Sequence, residues 1–166
     1  HFSNGLPNSL IGNAEAGKNM GLKALQLTGN SIVPVLGFLG NSLTDRFPSH
    51  AEQFNQNINS LGYSASNLAR RSLEVYRQYL GVVLIMAVQA VDLRTKHVTG
   101  HFDARETLSP TTRALYESVR AQVENPPSAD RPYLFDDSDI QRDLDLARIA
   151  QGLTEQGEIL VHLGLH

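Results

Sequence analysis

The sequence predicts an all-α protein, a bundle of long helices. Three observations carry this. Apolar residues recur at three- and four-residue spacing over most of the chain. No segment shows a convincing two-residue alternation. The breaks between periodic stretches hold residues that start and stop helices, such as Ser109-Pro110 and Asn125-Pro126-Pro127. At 166 residues the chain is compatible with one domain.

Taken in order, Phe2 to Asn13 contains Gly5, Pro7 and Gly12 and reads as a loop. From about Lys18 to Leu39 the pattern is helical, with Met20, Leu22, Ala24, Leu25 and Leu27 giving a broad apolar face that encloses Lys23. Pro34 lacks an N–H, and its ring clashes with the carbonyl four residues back. The expectation is a kinked helix, or two helices meeting near Asn30 to Pro34. Gly37, Gly40 and Pro48 frame a loop around Asp45-Arg46, and an amide-rich stretch follows. Gly62 stops that stretch, and Ser64 or Ser66 can cap the next helix. This longest element is expected over about Ser66 to Arg94. From Tyr79 to Val91 it is apolar all round, which implies a buried central helix. Thirteen residues are too few for a bilayer span of about 20, so no membrane partner is expected. The rest of the chain looks too small to wrap that run, and other helices are expected around it.

Thr95 to Pro110 is a loop. Ser109 at the N-cap and Pro110 at the first helical position start a helix to about Glu124, burying Leu115, Val119 and Val123. Asp136-Asp137-Ser138 is expected to cap a last amphipathic helix ending near Gly157, with Ile140, Leu144, Ala147 and Leu153 inward. Glu158 to Leu163 adds one more turn or a short tail. We therefore expect a central bundle segment over 1–124 and a C-terminal helical tail over 125–166 packed on it, as one domain.

The absence of cysteine excludes a disulfide framework and a thiolate metal site. The net charge of −3 divides unevenly. Residues 1–100 carry eight Lys/Arg and five Asp/Glu, and residues 101–166 carry six and twelve. Neither part has the basic footprint of a nucleic-acid binder. Nothing at the N-terminus resembles a signal peptide. The chain opens abruptly, as if within a longer protein, and a cytoplasmic location is expected.

The chemistry concentrates in His50-Ala51-Glu52-Gln53-Phe54-Asn55-Gln56-Asn57-Ile58-Asn59, where Glu52 to Asn59 packs five carboxamides and one carboxylate into eight residues. Asn often prefers caps and turns, so the amides need a reason. If Ala51 to Asn59 is helical, Glu52, Asn55, Gln56 and Asn59 share one face, while Phe54 and Ile58 anchor another. Such a face suits a small polar molecule. A bridging polar face within a bundle is the structural alternative. If buried, Glu52 would have its pKa raised by desolvation and lowered by a cation such as Lys23, and could exchange a proton with an amine. Lys23 is a second candidate, although a lysine on an apolar helix commonly extends to solvent. His97 and His101 are four apart, but Thr99-Gly100 interrupts them. Asp137 and Asp139 lack the glycine and final glutamate of a calcium loop. No metal is expected.

These residues carry a resemblance. His50 to Gly62 is similar to the signature of the aromatic amino-acid ammonia-lyase and aminomutase family. Phe2-Ser3-Asn4-Gly5-Leu6-Pro7, Gly21-Leu22-Lys23, Gln89-Ala90-Val91-Asp92-Leu93-Arg94, Gly100-His101-Phe102-Asp103-Ala104-Arg105 and Asp130-Arg131-Pro132-Tyr133 agree with it. The match is to the phenylalanine/tyrosine branch in its bacterial form, which lacks the plant-type insertion, and to the C-terminal third or so of such an enzyme.

The resemblance implies the C-terminal portion of the fumarase/aspartase-like ammonia-lyase fold. It implies elimination of ammonia from an aromatic amino acid by a methylidene-imidazolone made from Ala-Ser-Gly. It also implies a homotetramer whose active sites are each built from three subunits. By motif, Glu52 matches the catalytic glutamate near the substrate amine. Asn55 and Gln56 match residues that hydrogen-bond around the electrophile and substrate. Lys23 matches a pocket lysine, and Leu27 a position facing the aromatic ring. The sequence has no Ala-Ser-Gly, and Ala65-Ser66-Asn67 is the nearest approach. The electrophile, the base tyrosine and the carboxylate-binding arginine are therefore expected upstream, in the remainder of the enzyme, and the chain alone is expected to be inactive. An aromatic 2,3-aminomutase and an inert helical assembly fragment are the alternatives.

Overall fold

The computed structural model describes residues 4–13, 15, 18–46, 61–139 and 142–165. Among the described residues every regular element is helical: α1 (Lys23–Leu39), α2 (Gly62–Thr99), α3 (Pro110–Gln122), α4 (Arg142–Gly152) and α5 (Glu158–His162). Short 3-10 turns lie at Asn8–Leu10 and Asp137–Asp139. No described helix is long and apolar enough to cross a membrane.

The periodicity of α1 decides which side packs. Leu25, Gly29, Ile32 and Leu39 form a buried stripe, and each large apolar side chain fully buried there contributes about 1.5–3 kcal/mol. A Cβ on Gly29 would sit 3.3 Å from a Val82 methyl, so α1 runs close against α2 at that point. Of the two forms expected around Pro34, two separate helices do not occur, and one helix runs through it. Asn30 and Pro34 both lie on the exposed side. The carbonyl deprived of its N–H partner there can turn to water.

At 38 residues, α2 is about 57 Å long at 1.5 Å per residue, and it is the axis on which the rest is hung. It starts at Gly62, earlier than expected, with no side-chain cap. Ser66 is not the cap; its hydroxyl donates back to the Gly62 carbonyl at 2.8 Å. The helix passes the expected end at Arg94 and stops at Gly100, whose φ of +90° lets the chain reverse. The chain covers more of the apolar run than expected. Gly81, Val82, Ile85, Val88 and Gln89 are buried by its own helices, while Val83 and Ala87 stay exposed. No residue of 62–80 is buried.

Ser109 caps α3 as expected, accepting from the Thr112 N–H with Pro110 following. In α4 the inward side differs from the expected one. Leu144 and Ala147 are exposed, and Asp145, Ile149 and Gly152 are buried. The cause is a close approach to α2, where a Cβ on Gly81 would lie 2.7 Å from a Leu146 methyl carbon. Ile140 lies outside the described residues. The last turn, α5, closes on Ile159, which is fully buried.

Between α3 and the turn at Asp137–Asp139 the chain runs without regular structure, so its backbone groups need partners. Two side chains of α2 provide them, one turn apart. Gln89 donates to the carbonyls of Leu10 (2.7 Å) and Leu134 (2.8 Å), and its oxygen accepts from the Leu134 N–H at 2.8 Å. Asp92 accepts from the Tyr133 N–H and the Tyr116 hydroxyl, each at 2.6 Å, and pairs with the Arg120 guanidinium. Arg120 also donates to the Asn125 and Pro126 carbonyls. Both charged side chains are essentially inaccessible. Burial pushes the Asp92 carboxyl above its usual range, countered by Arg120, Tyr116 and the Tyr133 N–H. Removing one partner of a buried pair leaves the other charge uncompensated. Asp92→Ala is expected to destabilise the protein by about 3–5 kcal/mol, read as a lowered urea midpoint.

Candidate active site

The start of α1 is built from three distant pieces of chain. Leu22, which precedes the helix, supplies no side-chain cap. The N–H groups of Met20 and Gly21 donate instead to the two carboxylate oxygens of Asp137, at 2.6 and 2.9 Å. The Asp137 N–H donates back to the Asn19 side-chain oxygen at 3.1 Å. From the other side, the Leu22 N–H donates to the Ser9 carbonyl at 2.9 Å. Gly21 takes φ +55°, and a Cβ on it would lie 2.5 Å from that same carbonyl oxygen. Only glycine satisfies both constraints at low cost.

Lys23 is the first residue of the helix so fixed, and Leu27 follows one turn on, on the same side. The structure corrects the expectation that Lys23 is enclosed by apolar neighbours. Lys23 is exposed, and so are its neighbours Met20 (57%) and Leu27 (60%). The reason is the narrow buried stripe of α1, which turns Leu25 inward and leaves residues 23, 24 and 27 outside. Among the described residues no carboxylate forms an ion pair with Lys23. A cation and an apolar side chain thus stand one turn apart on an open helical wall. Glu52, Asn55 and Gln56 lie outside the described residues.

The acidic run 136–139 lies ahead of α4, which begins at Arg142, and the residues between them lie outside the described residues. Its carboxylates serve backbone groups. Asp137 holds the turn that precedes α1, Asp139 accepts from the Phe135 and Asp136 N–H groups and pairs with Arg131, and Asp136 accepts from Ser138. The Ser138 hydroxyl and N–H hold the Asp136 carboxyl below the usual carboxylate range. The sequence reading missed the role of Asp137, although two signals existed. The segment before α1 has no capping residue in the right register, and 136–139 holds more carboxylates than its own turn needs. His97 is exposed in the last turn of α2, and Gly100 ends the helix before His101. Among the described residues no three His, Cys, Asp or Glu side chains gather as metal ligands. A cleft of about 720 Å³ beside α2, lined by Asn4, Arg94, Thr95 and Leu108 among others, contains neither Lys23 nor Leu27.

The sequence model of the family described as aromatic amino acid lyase matches residues 1–121. The chain belongs to the aromatic amino acid lyase family. It is 53% identical over 159 residues to a phenylalanine ammonia-lyase of Nostoc punctiforme, covering 96% of this chain and 28% of that protein. It is 45% identical over 138 residues to an aromatic ammonia-lyase of Loktanella atrilutea, covering 83% of this chain and 25% of that one. A phenylalanine aminomutase of Taxus chinensis is 34% identical over 94 residues, 57% of this chain and 14% of its own. The chain thus spans less than a third of the length of these lyases, whose family is enzymatic and whose all-α architecture it shares.

The geometry around Gly21 gives a direct expectation. Gly21→Ala meets both a disfavoured φ and a fixed carbonyl, and is expected to lower stability by more than about 1 kcal/mol. Gly5→Ala, at φ +85° with nothing within 4 Å, meets only the first. Thermal midpoints of the two variants, compared side by side, check the difference.

Proposed function

We propose that this chain is the C-terminal part of an ammonia-lyase that converts L-phenylalanine or L-tyrosine to trans-cinnamate or p-coumarate. The observation that carries this is the 53% identity to a phenylalanine ammonia-lyase along 96% of the chain. The pairing of a cation with an apolar side chain on one side of α1 supports it, since an aromatic amino acid needs both. In the elimination the Cα–N bond breaks and a proton leaves Cβ. The electron pair of that C–H bond becomes the new double bond. The family's methylidene-imidazolone supplies the electrophile that makes the amine a leaving group. The sequence contains no Ala-Ser-Gly from which to form it, so in this reading it comes from polypeptide outside the chain.

The residues of this chain fit the substrate side of such a site. Lys23 brings positive charge to the polar end of the amino acid, and Leu27 offers apolar surface to the ring. Asn55 and Gln56 hydrogen-bond around the substrate and the electrophile. Glu52 lies at the amine and exchanges a proton with it. A homotetramer with shared sites, in the cytoplasm, completes the reading. The aminomutase relative supports a second reading, in which the amine returns to Cβ; product analysis separates the two, because only a mutase yields a β-amino acid.

Glu52→Gln in the full-length enzyme is expected to cut turnover by roughly 10²-fold or more, the scale of a positioned acid–base group. Cinnamate absorbance measures it, and wild-type turnover in that variant would remove Glu52 from the mechanism. In the same assay the 166-residue chain alone is expected to give no product, and activity without added polypeptide would overturn the proposed division of the site.

A further inference from the structure

We infer that Asp137 is a positioning residue for the substrate wall, holding Lys23 and Leu27 in register from the far end of the chain. This rests on the reading above that Lys23 belongs to that wall. Three hydrogen bonds join residues 19–21 to Asp137 across 116 to 118 residues of sequence: Met20 N–H and Gly21 N–H to the carboxylate, and the Asp137 N–H to Asn19. The carboxylate grips the turn that leads into a 17-residue helix, at residues two and three positions ahead of Lys23, its first residue.

Lys23 is the residue where this geometry is handed on. Its N–H donates to the Met20 carbonyl at 3.3 Å, and that carbonyl shares a peptide plane with the Gly21 N–H that Asp137 holds. The side chain is long and exposed, so its reach depends on where the helix begins. Ser9 and Gly21 fix one side of the turn before the helix. Asp137 tethers residues 19–21 to the acidic turn on the other. Asp139, in the same turn, is committed to Arg131 and to its own backbone and does not substitute for it.

The test is a cycle in the full-length enzyme with Asp137→Ala, Asp137→Asn, Lys23→Met and the doubles. Steady-state kinetics with L-phenylalanine are read as KM and kcat separately. Asp137→Ala is expected to raise KM about ten-fold with kcat little changed, because displacing a binding group weakens substrate binding. A merely less stable enzyme would lose active fraction, and so apparent kcat, at constant KM. Asp137→Asn keeps one acceptor oxygen and loses the other, and is expected to raise KM by an intermediate factor of about three-fold; it also carries the cycle if the alanine variant does not fold. In the Lys23→Met background the Asp137 substitutions are expected to change KM by less than about two-fold, since coupled residues are not additive. An equal rise in KM in both backgrounds, or none in either, overturns the positioning role while Lys23→Met still impairs binding. Wild-type kinetics in Lys23→Met removes Lys23 from the wall, and the positioning role goes with it.

Discussion

A single buried carboxylate organises this structure. Asp92 receives a guanidinium from α3, a hydroxyl from the same helix and an N–H from the irregular segment beyond it. An ionised group in that position is tolerated only when its lone pairs are met. The pairing explains why a long stretch without regular structure can lie against α2. With Gln89 one turn earlier, Asp92 turns one side of a helix into a backbone-binding edge, making for residues 133 and 134 the bonds that a neighbouring strand would otherwise make. Tyr133 carries the arrangement outward, its hydroxyl donating to Asp145 at 2.7 Å and so tying in α4. Burial raises the Asp145 carboxyl above its usual range, and the Tyr133 hydroxyl opposes this.

That edge in turn sets the location of the acidic turn. Residues 133–135 are pinned to α2 and to Asn13, whose N–H meets the Phe135 carbonyl at 2.7 Å. The chain then delivers Asp137 to the start of α1. The wall bearing Lys23 and Leu27 is thus connected to the core by a chain of polar contacts. Apolar burial holds α1 against α2, and the hydrogen bonds of residues 20 and 21 tie the turn before it to the acidic turn.

Much of the architecture was legible in the sequence because it rests on local rules. Ser109-Pro110 starts a helix as its chemistry requires, and the apolar run from Tyr79 to Val91 lies within one long helix. The failures have a common origin in non-local packing. Pro34 does not break α1 because the orphaned carbonyl faces solvent, which spacing alone does not reveal. The inward side of α4 was misassigned because Gly81 permits a close approach that rotates the helix. Lys23 stands in an apolar stretch of which only Leu22 and Leu25 are buried, while Met20, Ala24 and Leu27 are exposed. Asp92, Gln89 and Arg120 carried no visible signal, since a buried polar residue on a helix is defined by partners up to 79 residues away. Of the candidate site, the motif gave five residues, two of which fall among the described residues and share one side of α1.

The bridge between residues 20 and 137 also fixes an order of events. A contact spanning 117 residues closes late, because the entropy of long loops must be overcome before the contact can repay it. During synthesis at about 5–20 residues per second, roughly 6–23 s separate the emergence of its two halves. Until the second half arrives, the turn that leads into α1 lacks the partner of its Met20 and Gly21 N–H groups. The wall is therefore among the last features to mature, although its residues are made early. A chain released before residue 137 would carry every side chain of the proposed pocket and still lack its finished geometry.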